Sequence, residues 1–434
     1  MSWLRRYHIK LYLRNSIWVL PMFSIVFGLL GIRLLSKIEQ EFGWQANISV
    51  ENGRVLIGTV AASLFTLLVV VSSALLVATQ LASAQLTPRI IAMVYRNTNL
   101  KYILALFAFT FTIAVGALVR LEQSVPWLTS YFTAYGFLVC LVLYLYFVDS
   151  IGKMLRPSSA LGAVGSEGRE VIRAVYPQPF NEQSAVANEP MEILDGTPIQ
   201  IVTNAVDGVV LAFHVRGLIS LAERANCVIE LVPEVGDFVA MGDPLFRIYG
   251  AAKMSDRALR NSVALGLERT MEQDPMFGFR IMVDISSKAL SPAINDPTTA
   301  VLAIDQLHHL LRDVGSRYLA EGRQRDGHGV VRFVYRTPNW EDFVRIAVTE
   351  VRQYGRDSIQ VVRRLRAMLE NLIETLPDMR TPLLRKELEL LSTSSQRTFA
   401  DPEDRTLAET SDLQGLGGGQ VGKRKRELIR MANV

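Results

Sequence analysis

Residues 55–89 read VLIGTVAASLFTLLVVVSSALLVATQLASAQLTPR and carry no charge before Arg89. A helix needs about 20 residues to cross a hydrocarbon core roughly 30 Å thick, and this run is longer than that. Long uncharged apolar runs are typical of membrane-spanning helices, because a charge at the centre of the bilayer is costly. The stretch therefore predicts a membrane protein of the α-helical class.

Three further apolar stretches complete a predicted membrane domain of residues 1–156. The four expected spans are residues 16–32, 56–81, 102–118 and 130–147, and none of them contains a charged residue. Basic residues in the short loops divide nine to four between the two sides of the membrane. The side with nine faces the cytoplasm according to the positive-inside rule. We therefore expect a multi-pass protein of the bacterial inner membrane with both termini in the cytoplasm.

The second expected span has two unlike faces. Ala74, Ala78 and Ala82 recur every four residues, a spacing that lets a neighbouring helix approach closely. Helical periodicity predicts a polar arc opposite them, formed by Ser72, Ser73, Thr79, Gln80, Ser83 and Thr87. Because hydrocarbon offers no hydrogen-bond partners, these side chains have to meet other helices or water.

Two interpretations of the polar arc are open. Its side chains either bond to neighbouring helices of the bundle or, where several copies surround an axis, line an uncharged aqueous path. In the second case the candidate pore residues are Ser73, Gln80, Ser83 and Thr87. Carboxylates that could couple transport to ions or protons are missing from all four expected spans, which argues against an ion-coupled transporter.

The chain after residue 156 has the patterns of a cytoplasmic α+β domain. Residues 157–190 are expected to form a connector, and short β-branched runs separated by turn residues predict strands at 199–202, 208–214, 227–231 and 244–249. These strands belong to a small β subdomain of residues 191–252. A mainly helical subdomain is expected over residues 253–414, with one helix over Ser255–Thr270, followed by a flexible basic tail of residues 415–434.

The β subdomain contains a run whose shape is known from other proteins. Residues 228–248, VIELVPEVGDFVAMGDPLFRI, resemble the compact barrel-sandwich domain of biotinyl and lipoyl proteins. We therefore expect a β-sandwich or barrel-like shape here. The carrier lysine of those domains lies in a Met-Lys-Met-like hairpin that this chain lacks, so neither biotin nor lipoate is expected.

A second set of polar residues lies between positions 269 and 296. Asp274 and Asp296 each precede a proline and suit the N-caps of helices, while Arg280 and Asp284 have the spacing of a surface salt bridge. The same stretch could instead bind a small molecule or an ion. The candidate pocket residues are then Arg269, Asp274, Arg280, Asp284, Asn295 and Asp296. Arg363, Arg364 and Arg366 lie on a later expected helix. Like the basic residues 423–426, they could touch anionic lipid headgroups, but we expect both sets to face solvent.

Composition limits the classes of function. The sequence pI of about 9.0 arises in residues 1–160, which hold 13 Lys and Arg but 5 Asp and Glu, so it does not indicate nucleic-acid binding. The sequence contains no nucleophile and base pair, glycine-rich phosphate loop or cluster of His and Cys. We therefore expect no catalytic residues, cofactor or metal.

Four motifs carry a family resemblance. They are S-x-L-L-V-A-x-Q-L-A-S-x-Q-x-T-P-R at 73–89, V-G-D-F-V-x-x-G-x-P-L at 235–245, R-T-x-x-Q-D-P-x-F-G at 269–278 and D-I-x-x-x-A-L-S-P-x-I-N-D-P-x-T-A at 284–300. Together they resemble the uncharacterised bacterial family known as domain of unknown function 2254. The resemblance implies an inner-membrane protein with no assigned activity.

Two functions fit these patterns. The first is a homo-oligomeric, channel-like assembly in the lipid bilayer, regulated by its cytoplasmic domain. The alternative is a membrane-anchored sensor or scaffold whose cytoplasmic domain binds a small ligand or a protein. An enzyme is the least favoured class, because its catalytic residues would have to come together from distant parts of the chain.

Overall fold

The computed structural model describes residues 2–44, 48–121, 125–181, 196–319 and 322–417. The chain divides into two compact units. Ile9–Ser159 form one of them, called the membrane unit below, and Met1–His8 together with Ala160–Val434 form the other, called the C-terminal unit. The basic residues 423–426 and most of the expected tail lie outside the described residues.

Four long helices dominate the membrane unit. The elements up to Met154 are α1 (Trp3–Asn15), whose first residues belong to the C-terminal unit, α2 (Val19–Phe42), α3 (Val50–Gln85), a 3-10 turn (Pro88–Ile90), α4 (Ile91–Arg96), α5 (Thr98–Val119) and α6 (Trp127–Met154). Helices α2, α3, α5 and α6 are long and apolar enough to cross a membrane. They are candidate spans at the four expected positions, and each is longer than its apolar run because the helix continues into the polar residues that flank it.

Helix α5 lies at the centre of the membrane unit. It contacts α2, α3 and α6, and more than half of its residues are buried. Glycines on the neighbouring helices permit a close approach: a Cβ added to Gly28 of α2 would lie 2.9 Å from Thr112, and one added to Gly136 of α6 would lie 2.8 Å from Thr110. Small residues at such crossings are the usual way in which helices associate in lipid.

The C-terminal unit begins with a helix where a connector was expected. Helix α7 covers Pro157–Val175 and buries Leu161, Val164 and Ile172 along one face. This spacing is that of an amphipathic helix packed against a core. The later part of the expected connector, residues 182–190, lies outside the described residues.

Two small sheets follow α7. Their strands are β1 (Gln200–Thr203), β2 (Gly208–Phe213), β3 (Cys227–Leu231), β4 (Phe238–Val239), β5 (Pro244–Gly250), β6 (Val263–Gly266), β7 (Arg323–Arg325) and β8 (Val331–Tyr335), with helix α8 (Val215–Ala225) between β2 and β3. One sheet has the order β1-β5-β3-β8-β7 and the other β4-β2-β6. All pairings are antiparallel except β3 with β8, where Ile229 aligns with Phe333.

The two sheets and α8 share one apolar core. Val210 of β2, Leu218 of α8, Ile229 of β3 and Phe333 of β8 all belong to it. The described strands form two open sheets, so the expected barrel-like closure is not present. The sheets also take β6, β7 and β8 from the chain beyond residue 252.

The expectation of one helix over Ser255–Thr270 is wrong. A short helix, α9, covers Asp256–Arg260, and the chain then forms β6. Strand β6 pairs with β2, with Leu265 opposite Val210 and Val263 opposite Phe213. The apolar residues of this stretch are compatible with either type of element, and pairing with a distant strand decides between them.

The remaining helices form a second layered core. They are α10 (Pro275–Ala289), α11 (Pro297–Gly315), α12 (Trp340–Tyr354), α13 (Ile359–Thr375), a 3-10 turn (Asp378–Arg380), α14 (Thr381–Thr398) and α15 (Pro402–Ala408). Helix α10 packs on α11 and α12, and α13 packs on α11 and α14.

The first residues of the chain belong to the C-terminal unit. The Trp3 ring stacks on the His214 ring at the end of β2, with 5.2 Å between the ring centroids and 7° between the planes. Chain segments before the first span and after the last span are therefore in contact.

Candidate functional site

Helix α3 turns its small residues inward. Ala78 and Ala82 are buried in the membrane unit and Ala74 is half-buried. The expected close-packing face is therefore confirmed at Ala78 and Ala82. Thr79 lies on the same side as these alanines, and its hydroxyl donates a 2.6 Å hydrogen bond to the Leu75 carbonyl.

The predicted polar arc is only partly exposed. Ser73 and Gln80 are exposed and Ser83 is half-buried. Thr79 and Thr87 are buried, so they do not share the exposed side of the helix with Ser73 and Gln80. Thr79 is four residues after Leu75 and three before Ala82, which places it on the packed side, and Thr87 follows the end of α3 at Gln85, where helical periodicity no longer applies.

The exposed polar residues of α3 form a straighter line than the arc. Asn52, Thr59, Thr66, Ser73 and Gln80 recur every seven residues, and all five are exposed. We call this line the heptad face. A seven-residue repeat keeps one seam aligned when helices supercoil around one another. The spacing is visible in the sequence, but it begins at Asn52, on the N-terminal side of the polar residues that define the predicted arc.

Two residues of the heptad face form their side-chain hydrogen bonds within their own helix. The Thr59 hydroxyl donates to the Val55 carbonyl at 2.8 Å, and the Thr66 hydroxyl donates to the Ala62 carbonyl at 2.9 Å. Such bonds to the preceding turn let threonine face lipid at little cost. Within the part of the chain that the structure describes, Ser73 and Gln80 make no side-chain hydrogen bond.

In the C-terminal unit, two of the family motifs meet at Arg269. Its guanidinium binds Asp274, with Nε at 2.9 Å and Nη2 at 2.8 Å from the same carboxylate oxygen. The guanidinium also lies on Gly236, where φ is +96° and an added Cβ would be 2.0 Å from Nη2. The glycine of the β3–β4 turn therefore provides the space that the arginine occupies.

Asp274 has a structural role that the sequence predicts. Its carboxylate caps α10 by accepting a 3.1 Å hydrogen bond from the Phe277 N–H. Only 3% of the residue is exposed. Burial raises the pKa of the Asp274 carboxyl, while the charge of Arg269 acts in the opposite direction.

Arg280 is held by two carboxylates. It donates to Asp284 at 2.6 Å, and it forms a two-pronged pair with Glu350 of α12 at 2.5 and 2.8 Å. Hydrogen bonding to Arg280 lowers the pKa of the Glu350 carboxyl. Bidentate pairs of this kind fix geometry well, so Arg280 joins α10 to α12. Glu350 is 70 residues away and has no spacing that links it to Arg280 in the sequence.

The last two candidate pocket residues shape the start of α11. Asn295 has φ at +48°, and Asp296 caps α11 by accepting a 3.0 Å hydrogen bond from the Thr299 N–H. The Asp296 N–H donates to the carbonyl of Ala289, the last residue of α10. A helix rises about 1.5 Å per residue, so the two caps at Asp274 and Asp296 stand roughly 20 Å apart along α10. The six candidates therefore lie in three separate groups.

Two arginines of α13 that were expected to face solvent are buried. Arg363 is fully buried and Arg366 is 7% exposed, so the predicted solvated face is wrong for both. Arg363 donates to the Thr410 carbonyl at 2.9 Å and to the Gly417 carbonyl at 2.7 Å. Arg366 donates to the Ala408 carbonyl at 3.2 Å. Backbone carbonyls have no sequence signature, which is why this contact could not be predicted.

The segment that α13 binds, residues 408–417, is also held by hydrogen bonds among its own residues. The Asp412 carboxylate accepts hydrogen bonds from the N–H groups of Gln414, Gly415 and Gly417 at 3.0, 3.0 and 2.6 Å. The expected flexible tail therefore begins with three residues, 415–417, that are fastened to the helical core.

Similar proteins from two mycobacteria are named as uncharacterized. Uncharacterized proteins of Mycobacterium bovis and Mycobacterium tuberculosis are each 27% identical to it over 423 residues, which cover 93% of this chain and 80% of the relative. No solved structure matches the chain. The family described as predicted membrane protein, DUF2254, matches residues 14–371. With its four candidate spans and its family motifs at 73–89, 235–245, 269–278 and 284–300, the chain belongs to this family of membrane proteins.

Proposed function

We propose that this protein forms a homo-oligomeric, channel-like assembly in the bacterial inner membrane. Copies of α3 bring their heptad faces together around a common axis and create an uncharged polar path. The C-terminal unit lies in the cytoplasm and regulates the assembly.

The exposed amide of Gln80, together with the Ser73 hydroxyl, is the observation that carries the proposal. A primary amide has two donors and two acceptor lone pairs, and leaving such a group unsatisfied in hydrocarbon costs about 4–8 kcal/mol relative to water. Both residues lie within the apolar run 56–81 on the outer side of a single chain. A second copy or a water-filled path would satisfy them.

The contact between Trp3 and His214 supports the proposed topology. Residues before α2 and residues after α6 can touch only when both are on one side of the bilayer, as four spans require. The surplus of basic loop residues on that side favours the cytoplasm.

The contacts around Arg280 favour the assembly over a ligand-binding sensor. Arg280 is already bound by Asp284 and Glu350, and Arg269 is bound by Asp274. The two arginines that would receive an anion are thus engaged within the chain.

The test is current recording from the purified full-length oligomer in planar bilayers, with a matched pair of serine variants. Ser73→Leu changes the heptad face, whereas Ser72→Leu changes the neighbouring exposed serine, about 100° away around the helix. We expect wild type and Ser72→Leu to conduct, and Ser73→Leu and Gln80→Leu to conduct less or not at all. Silent membranes from folded oligomers, or equal currents from both serine variants, would refute the proposal.

A further inference from the structure

A polar pocket lies at the end of the membrane unit where α2 and α5 end and α6 begins. Its volume is about 540 Å³, and its lining includes Ser36, Glu39, Gln40, Trp44, Arg120 and Thr129. Carboxylate and guanidinium groups therefore share one cavity next to the apolar part of the bundle.

Glu39 is the buried acid of this pocket. The residue is 7% exposed, and its carboxylate accepts hydrogen bonds from the Thr129 N–H at 2.8 Å and the Thr129 hydroxyl at 2.9 Å. Pro126, the N-cap residue of α6, gives no side-chain cap, so Glu39 of α2 caps α6 in its place. A carboxylate offers about four acceptor sites. Two remain, and Glu39 forms no ion pair with any residue described in the structure.

Arg120 supplies the opposite charge. It follows the last residue of α5 and donates a 2.8 Å hydrogen bond from Nη1 to the Ile32 carbonyl of α2. This bond holds the guanidinium at the pocket, and a guanidinium has five N–H donors. Among the described ranges of the chain, no carboxylate pairs with Arg120.

An apolar groove on the membrane-facing surface lies beside the pocket. It has a volume of about 610 Å³ between α5 and α6, and its lining includes Leu106, Thr110, Trp127, Tyr131, Tyr135 and Gly136. Gly136 brings α5 and α6 close together at the base of the groove, where an added Cβ would be 2.8 Å from the Thr110 methyl group. Tyr135 is 64% exposed, so the groove is open to the lipid phase.

The pocket and the groove are neighbours. Pro126 lines the pocket and Trp127, the next residue, lines the groove. The rings of Trp44 and Trp127 meet edge to face with 5.7 Å between centroids. Tryptophan and tyrosine favour the level of the lipid headgroups, which places the polar pocket at that level and the groove at the level of the acyl chains.

We propose that the pocket and the groove together bind one phospholipid whose headgroup carries both a phosphate and a primary ammonium. Arg120 binds the phosphate, Glu39 accepts hydrogen bonds from the ammonium, and an acyl chain occupies the groove. The two charges of the pocket match such a zwitterion. A quaternary ammonium has no N–H to donate to Glu39, and a glycerol headgroup has no positive charge. This inference does not depend on the channel-like assembly.

The test is native mass spectrometry of the full-length protein with phosphatidylethanolamine, phosphatidylcholine and phosphatidylglycerol that have identical acyl chains. We expect wild type to retain the ethanolamine lipid about tenfold more strongly than either of the others, which corresponds to about 1.4 kcal/mol. Equal retention of the three lipids would overturn the proposal.

Variants separate the roles of the two charges. Glu39→Gln keeps one oxygen that can accept from the Thr129 N–H, and its amide N–H can donate to the Thr129 hydroxyl. It should therefore fold, and it should lose the preference for ethanolamine over glycerol. Arg120→Gln should weaken the binding of all three lipids, because each of them carries a phosphate. Arg33→Gln is the control, because Arg33 is an exposed cation of α2 that is not part of the pocket lining given above.

Two further outcomes decide against the lipid site. A preference for ethanolamine in Glu39→Gln equal to that of wild type would exclude Glu39 as the partner of the ammonium. Competition by water-soluble phosphoethanolamine at the same concentration as the lipid would show that the groove contributes nothing. If Glu39→Gln fails to fold, Arg120→Gln measured against Arg33→Gln still tests the headgroup pocket.

Discussion

Helices α3 and α13 both place polar residues where such residues are costly: α3 on the outside of an apolar bundle, and α13 inside a protein core. In the membrane unit, the uncharged heptad face of α3 points out of the bundle. In the C-terminal unit, Arg363 and Arg366 of α13 point into the core. A polar group in either place has to find a partner. The arginines of helix α13 find their partners within the chain, in residues 408–417, whereas Ser73 and Gln80 of the heptad face have to find theirs outside it.

The largest expected effect on stability comes from removing Arg363, the buried arginine that binds residues 408–417. Arg363→Met should lower the free energy of unfolding by about 3 kcal/mol, since two hydrogen bonds from a charged donor are lost at about 1.5 kcal/mol or more each. Thermal or denaturant unfolding of the purified protein measures the change. Arg345→Met, at an exposed pair with Glu341, is the control and should change stability by less than about 1 kcal/mol. Equal effects in the two variants would show that burial of Arg363 contributes nothing.

A smaller effect is expected from the other buried polar contact of α13. His308 of α11 lies 2.9 Å from the Asn371 amide oxygen of α13, and burial lowers the pKa of the imidazole to about 4. The unfolded chain, with a His308 pKa near its usual 6.5, binds the proton more readily than the folded one. The contribution of the neutral imidazole to stability is therefore fully present above about pH 6.5 and is lost progressively between pH 6.5 and 4.

His308→Gln distinguishes this residue from other acid-sensitive groups. The glutamine amide can still donate to Asn371 and does not titrate, so the loss of stability between pH 6.5 and 4 should become shallower than in wild type. An unchanged slope would mean that other groups cause the acid sensitivity. Unfolding midpoints measured at several pH values provide the comparison.

The smallest effect on stability, and the sharpest test of the contrast with α13, concerns α3. Ser73→Cys and Ser72→Cys both replace an exposed serine, so neither should shift the unfolding midpoint measurably. In membranes treated with a mild oxidant, Ser73→Cys should yield more covalent dimer than Ser72→Cys if the heptad faces of two copies meet. Equal yields on a denaturing gel would indicate that α3 contacts no second copy through this face.

Much of the membrane unit could be predicted from sequence because one rule governs it. Hydropathy and the absence of charge locate all four spans. The ends were less predictable: α2 continues to Phe42, ten residues past the apolar run, and this extension carries the Glu39 that caps α6. That contact joins residues 90 positions apart, and no local pattern indicates it.

The C-terminal unit was harder to predict where distant chain segments decide the structure. The four strands expected between residues 199 and 249 all form, because β-branched runs between turn residues are a local signal. Strand β6 was expected to be helical and is fixed by its pairing with β2. Helix α8 was missed between two strands, although VRGLISLAERA has the amphipathic spacing of a helix.

The candidate site was predictable in its parts but not in its connections. The capping roles of Asp274 and Asp296 follow from the Asp-Pro pairs, and the structure has both caps. The placement of Arg269 on Gly236 and the pairing of Arg280 with Glu350 depend on tertiary contacts. Because of these contacts, the polar residues between positions 269 and 296 form three separate groups, each of which stabilises a different part of the fold.

The parallel pairing of β3 with β8 affects how the protein is made. Ile229 aligns with Phe333, which the ribosome adds about 100 residues later, or roughly 5–20 s at ordinary rates of synthesis. During that interval the spans are already available for insertion while one edge of β3 has no partner strand. A chaperone that shields an unpaired edge at this stage would protect the nascent chain from aggregation.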